Sequence, residues 1–118
     1  MKNTVISHTL QNGLQVYLVP DPCATTISAK TVVQAGSLYE APHLGSGLSH
    51  FLEHLVAGGK TTSRSEKDYK DLIAQLGGAF NAYTTLDHTC YYINTLPKFE
   101  KDAIQILCDW MFSNDFGN

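Results

Sequence analysis

The hydrophobic period of the chain changes at Gly47, and that change limits the fold more than any other feature. Upstream, Thr25–Ala35 (TTISAKTVVQA) is dense in β-branched residues, which suit a pleated surface, and Gly36 closes it, so it reads as one long strand. Downstream, Leu48, Phe51, Leu52 and Leu55 recur at helical spacing and make an apolar stripe, and Gly58-Gly59 supplies the stop. Between the two, Ser37–Ser46 holds Pro42 and Gly45 and reads as a loop. A chain that keeps the two periods in separate blocks falls in the α+β class.

The remaining segments fill in that class. Val5-Ile6 and Leu14–Val19 flank Gln11-Asn12-Gly13, and Asn-Gly favours a tight hairpin because both residues tolerate positive φ. A second helix is expected from about Glu66 to Leu76. Ser65 with Asp68 imitates a capping box, Tyr69, Leu72, Ile73 and Leu76 make one apolar face, and Gly77 ends it. Ala79–Thr84 and Thr89–Leu96 read as strands around a turn at Leu86-Asp87. Pro97 suits the first turn of a last helix, on which Phe99, Ala103, Leu107, Trp110 and Met111 line one stripe. The expected architecture is an antiparallel-rich mixed sheet with helices packed on one face.

Composition excludes several classes of function. With 118 residues, 43% hydrophobic and 16% charged, the chain buries a core rather than forming a disordered tail. A net charge of -3, with eight Lys and Arg residues scattered along the chain, leaves no basic footprint for nucleic acid. No run reaches the 18 or so apolar residues of a membrane span, and the opening MKNTVISHTLQNG is polar where a signal peptide is apolar. Cys23, Cys90 and Cys108 form no C-x-x-C and cannot all pair, which suits reduced thiols and a cytoplasmic location. Cys90 and Cys108 have apolar neighbours and read as packing residues.

Chemistry concentrates in Gly47-Leu48-Ser49-His50-Phe51-Leu52-Glu53-His54. On a helix, residues four apart stand one above the other, so His50 and His54 bring two imidazoles toward one point. Zinc accepts neutral imidazole nitrogen and needs such convergence from a rigid element. Glu53, three residues from His50, reaches a water on that metal and can act as the base that takes its proton. H-x-x-E-H is a zinc-peptidase signature, although histidines at this spacing also occur as plain surface residues. His88, just before the expected strand Thr89–Leu96, reads as a structural polar contact rather than a third ligand, since a satisfied histidine is commoner than a ligand.

Several further segments extend the motif. GLSHFLEHL is followed by GGAFNAYTTLDHTCYYINTL, and Ala35-Gly36-Ser37-Leu38-Tyr39-Glu40 precedes both. Together they resemble the pitrilysin/insulinase family of zinc metallopeptidases, the inverzincins, over nearly the whole chain. Val56-Ala57-Gly58-Gly59-Lys60-Thr61 departs mildly from the aromatic and single Gly-Thr usual after the family's zinc helix. The resemblance implies a peptidase of extended or unfolded peptides, with zinc on His50 and His54 and Glu53 as catalytic base. It further implies that the strand Asn81-Ala82-Tyr83-Thr84 pairs with substrate, so Asn81, Ala82 and Tyr83 are substrate-binding candidates.

The family's third zinc ligand is a glutamate on a later helix, expected beyond residue 118. Residues 1–118 would then be the N-terminal, zinc-motif-bearing part of a longer peptidase domain and inactive alone. The partners implied are a peptide, the C-terminal remainder or a homologous half-shell, with self-association through an exposed strand edge as another outcome. Two other functions compete: a non-catalytic scaffold or partner half, and a lyase like S-ribosylhomocysteinase with cysteine as its third ligand. The intact His50, Glu53 and His54 weigh against the first. The placement of Cys90 and Cys108 weighs against the second.

Overall fold

The computed structural model describes residues 4–117. Strands β1 (Ile6–Thr9) and β2 (Gln15–Leu18) form the expected hairpin, with Ile6 opposite Leu18 and Thr9 opposite Gln15. The Asn12 side chain accepts the Leu14 N–H at 3.1 Å and closes the turn locally. This hairpin is a separate two-stranded sheet, and its Ile6, Leu14, Tyr17 and Leu18 are exposed.

The second sheet contains β3 (Ile27–Val33), β4 (Ala79–Thr84) and β5 (Thr89–Thr95) in the order β3-β5-β4. All pairings among the described residues are antiparallel. β3 is shorter at both ends than its β-branched run suggests. It pairs with β5 only from Ile27 opposite Thr95 to Val33 opposite Thr89, and past Val33 the chain turns, the Ala35 N–H donating back to the Val33 carbonyl. β5 is central, and β4 has a strand on one side only among the described residues.

Helices α1 (Leu48–Val56), α2 (Glu66–Gln75) and α3 (Glu100–Phe112) provide the rest of the fold. Tyr91 and Ile93 of β5 join Ile73 of α2, Leu76 at the α2 C-cap, and Ala103, Ile106 and Leu107 of α3 in one core. Trp110 is fully buried and meets Phe80 and Tyr69 edge-on at 5.2 and 5.8 Å between ring centroids. Cys90 is buried, as expected. Cys108 is exposed, so its apolar neighbours in sequence did not report its side of α3.

The apolar stripe of α1 does not face this core. Leu48, Phe51, Leu52 and Leu55 are 42–63% exposed, whereas Glu53 and Val56 are buried at 5%. Periodicity identifies the stripe but not what covers it, and here the sheet takes the face that carries a carboxylate. Among the described residues no helix is long and apolar enough to cross a membrane.

The start of α2 shows the expected capping box. The Asp68 N–H donates to Ser65 Oγ at 3.2 Å, and the Ser65 N–H donates to Asp68 Oδ2 at 3.0 Å. The Ser65 hydroxyl and N–H hold the Asp68 carboxyl below its ordinary range. A carboxyl with a depressed folded-state pKa stabilises the fold above its unfolded pKa and loses that contribution as pH falls through the folded value. Asp87 and Asp115 are depressed likewise, chiefly by bonds to His88 and Lys60. The urea midpoint should therefore drop below about pH 4, and less steeply in Asp68→Asn than in the wild type. Ser65→Ala should cost about 1 kcal/mol at pH 7 in the same measurement. An unchanged midpoint in Ser65→Ala would show that α2 does not depend on its cap.

Candidate metal and peptide site

α1 delivers both imidazoles to one place. His50 and His54 lie one turn apart, their rings tilted by 43° with centroids 4.7 Å apart, and their Nε2 atoms are 3.0 Å from each other. At that distance either one ring donates its N–H to the other or both turn lone pairs toward a shared cation. Two nitrogens on a tetrahedral zinc with bonds of about 2.0–2.1 Å stand roughly 3.3 Å apart, so the pair fits such an ion closely. The ligand atoms of His50, Glu53 and His54 all lie within 4.8 Å of one another. Both histidines are exposed and Glu53 is buried, which places a buried carboxylate behind two accessible imidazoles.

The sheet orients Glu53. Thr84, the last residue of β4, donates its hydroxyl to Glu53 Oε2 at 2.8 Å. Neighbouring Thr89 is 3.3 Å from Thr84 Oγ1 but gives its own proton to the Ala35 carbonyl at 2.6 Å. Each hydroxyl has a single proton, so Thr84 remains free to donate to Glu53. Burial, and then the charge of Glu53, pushes the Tyr91 hydroxyl up to about 12, so it stays neutral beside the carboxylate.

The same cleft, about 700 Å³, is lined by His50, Glu53, His54, Asn81, Ala82 and Tyr83 among others. All the residues expected at the site thus border one space. Within it Asn81 and Tyr83 are exposed and Ala82 is half-buried. The Ala82 N–H is met by the Asn81 side-chain oxygen at 2.8 Å, so a main-chain donor of β4 is held by a side chain. His88 stands apart from the metal cluster: its Nδ1 is 2.7 Å from Asp87 Oδ1 and 3.0 Å from Thr85 Oγ1, a structural polar contact.

The roles of two residues of the site were not legible in the sequence. Thr84 reads there only as part of the strand that the resemblance pairs with substrate, and its bond to Glu53 needs the packing of α1 on β4. Glu40 also borders the cleft, and its carboxylate bonds the first turn of α1. The one local hint was that Gly47 offers no side chain to cap the helix.

Gly36 makes the edge of the site by close approach. A Cβ there would stand 2.5 Å from the Thr85 carbonyl oxygen and 2.6 Å from that of Leu86, so glycine alone lets the end of β3 dock on the β4–β5 turn. The neighbouring Ser37 and Leu38 N–H groups donate to those two carbonyls at 3.2 and 2.9 Å.

Comparison with known proteins matches this geometry to a family. The description Insulinase (Peptidase family M16) fits residues 15–118. YmxG of Bacillus subtilis (strain 168), described as an uncharacterized zinc protease, is 32% identical over 109 residues, covering 92% of this chain and 26% of that protein. The insulin-degrading enzyme of Homo sapiens is 38% identical over 95 residues, which are 80% of this chain and 9% of the enzyme. The crystal structure of a protease from Helicobacter pylori superimposes with a TM-score of 0.90 at 29% identity, over 98% of this chain and 28% of that one. The chain therefore spans about a quarter of YmxG and of the Helicobacter protease, and the match over residues 15–118 places it in the insulinase family of peptidases, M16.

Proposed function

We propose that residues 1–118 are the metal-bearing N-terminal part of a zinc metalloendopeptidase that hydrolyses extended or unfolded peptides. The observation that carries this reading is the meeting, in one cleft, of two convergent imidazoles, a buried carboxylate and a strand edge. A zinc ion held by His50 and His54 would polarise the attacking water and the peptide carbonyl. Glu53, held by Thr84, would serve as the base that takes a proton from the attacking water and passes it to the leaving amine.

Peptide recognition follows from the sheet. β4 lacks a strand on its outer side among the described residues, and an extended peptide adds there through main-chain hydrogen bonds that demand no particular sequence. The third zinc ligand is assigned to chain beyond residue 118, because among the described residues only Glu53 joins the two histidines. The same remainder, or a homologous half-shell, would cover the exposed stripe Leu48, Phe51, Leu52 and Leu55. A lyase-type site is disfavoured because no cysteine joins the cluster among the described residues.

Amide shifts on titrating an unstructured peptide into the zinc-loaded chain test the recognition half of the reading. They should cluster on Ala79–Thr84 and around His50–His54. Shifts confined to α3 would place recognition elsewhere.

A further inference from the structure

α1 begins without a cap of its own. Gly47, at the N-cap, has no side chain and sits at φ +76°, whereas a capping Ser, Thr, Asp or Asn uses extended backbone to turn its oxygen onto the helix. The first N–H groups of a helix have no partner within it, so an acceptor must come from elsewhere. Glu40, seven residues before Gly47, supplies it. Its Oε1 accepts the Ser49 N–H at 2.8 Å and its Oε2 accepts the Gly47 N–H at 3.3 Å. Glu40 is buried at 6% exposure, and the Ser49 N–H holds its carboxyl below the ordinary range. A negative charge there also meets the positive end of the helix dipole.

Glu40 is itself anchored. It follows a 3₁₀ turn, Ser37–Tyr39, whose Ser37 and Leu38 N–H groups donate to the Thr85 and Leu86 carbonyls just past β4. One end of this connection is therefore fixed to the turn that follows the edge strand β4, and the other holds the residue that precedes His50. Thr84 bonds Glu53 from the same strand. The helix is thus tied to β4 at its first turn through Glu40 and at its centre through Glu53.

We propose that Glu40 is a positioning residue for the metal site: its carboxylate caps α1 from outside and holds His50 in register with β4. The inference rests on the metal reading given above. In the absence of Glu40 the Ser49 and Gly47 N–H groups turn to water, the first turn frays, and His50 loses its fixed relation to His54.

Zn2+ affinity of the 118-residue chain, measured by competition titration, tests this together with amide hydrogen exchange. Wild type, Glu40→Ala and Glu40→Gln are compared at a temperature where each is folded. Glu40→Ala should exchange faster at Ser49 and His50 and bind Zn2+ on the order of tenfold more weakly, as expected for one charge-assisted hydrogen bond. Glu40→Gln keeps one carbonyl for the Ser49 N–H but turns an NH2 toward Gly47, and should recover part of the affinity. If Glu40→Ala does not fold, Glu40→Gln alone carries the comparison, with intermediate affinity as the expected result. A purely structural Glu40 would lower the melting temperature and leave the affinity of the folded chain unchanged, and that result overturns the proposal. Failure of the wild type to bind Zn2+ would instead overturn the metal reading, and this inference with it.

Discussion

Glu53→Gln in the full-length protein should keep its zinc and lose peptide hydrolysis by about a thousandfold, within the range typical of a missing general base. The substitution changes little besides proton affinity. Gln and Glu have the same shape, and the amide oxygen can still accept the Thr84 hydroxyl that holds Glu53 Oε2 at 2.8 Å. Burial at 5% leaves little room for the side chain to move elsewhere. The imidazoles of His50 and His54 keep their lone pairs, so metal content should remain at the wild-type level. An amide nitrogen cannot take a proton from water at neutral pH, and the attacking water is left without a base. Turnover and bound metal are measured on the same preparation. Loss of both together would make Glu53 a ligand, and the base would have to be sought among other groups at the cleft.

The parts of this site that were legible in the sequence are those set by local geometry. His50 and His54 converge because residues four apart on a helix share a face, and no tertiary information is needed to see it. The capping box of α2 has the same local character, since Ser65 and Asp68 are three residues apart. Contacts between distant segments left no periodic trace. Thr84 and Glu53 are 31 positions apart, and Glu40 reaches Ser49 across a loop of irregular backbone. The stripe Leu48, Phe51, Leu52 and Leu55 was legible as helical spacing, but periodicity alone does not tell which neighbour covers a helix. The sheet packs instead against Val56 and the carboxylate of Glu53. A buried charge is costly unless it is bonded, which Thr84 provides, and such an arrangement suits a reactive group better than a stabilising one.

Residues 1–118 alone should bind Zn2+ through His50 and His54 and yet hydrolyse no peptide. His50→Ala or His54→Ala should each weaken Zn2+ binding by more than about a hundredfold, beyond the 10- to 100-fold typical of changes to groups that merely support a ligand. The reason is the count of donors. With two imidazoles at 3.0 Å, loss of either leaves a single nitrogen on an exposed helix face, which does not chelate. Catalysis asks for more than binding. Catalytic zinc sites carry three protein ligands, and Glu53 cannot serve as the third while it acts as base. An ion held by two histidines is loosely oriented, and rate depends on that orientation to within an ångström. The exposed imidazoles also leave the cleft open to water, which weakens any electrostatic stabilisation of the oxyanion. A peptidase assay on the purified chain with added Zn2+ should therefore read background, while a protein extended to the full length of its relatives cleaves extended peptides. Cleavage by residues 1–118 that a chelator abolishes and that Glu53→Gln removes would overturn the assignment of the third ligand to chain beyond Asn118, and would place it within this sequence.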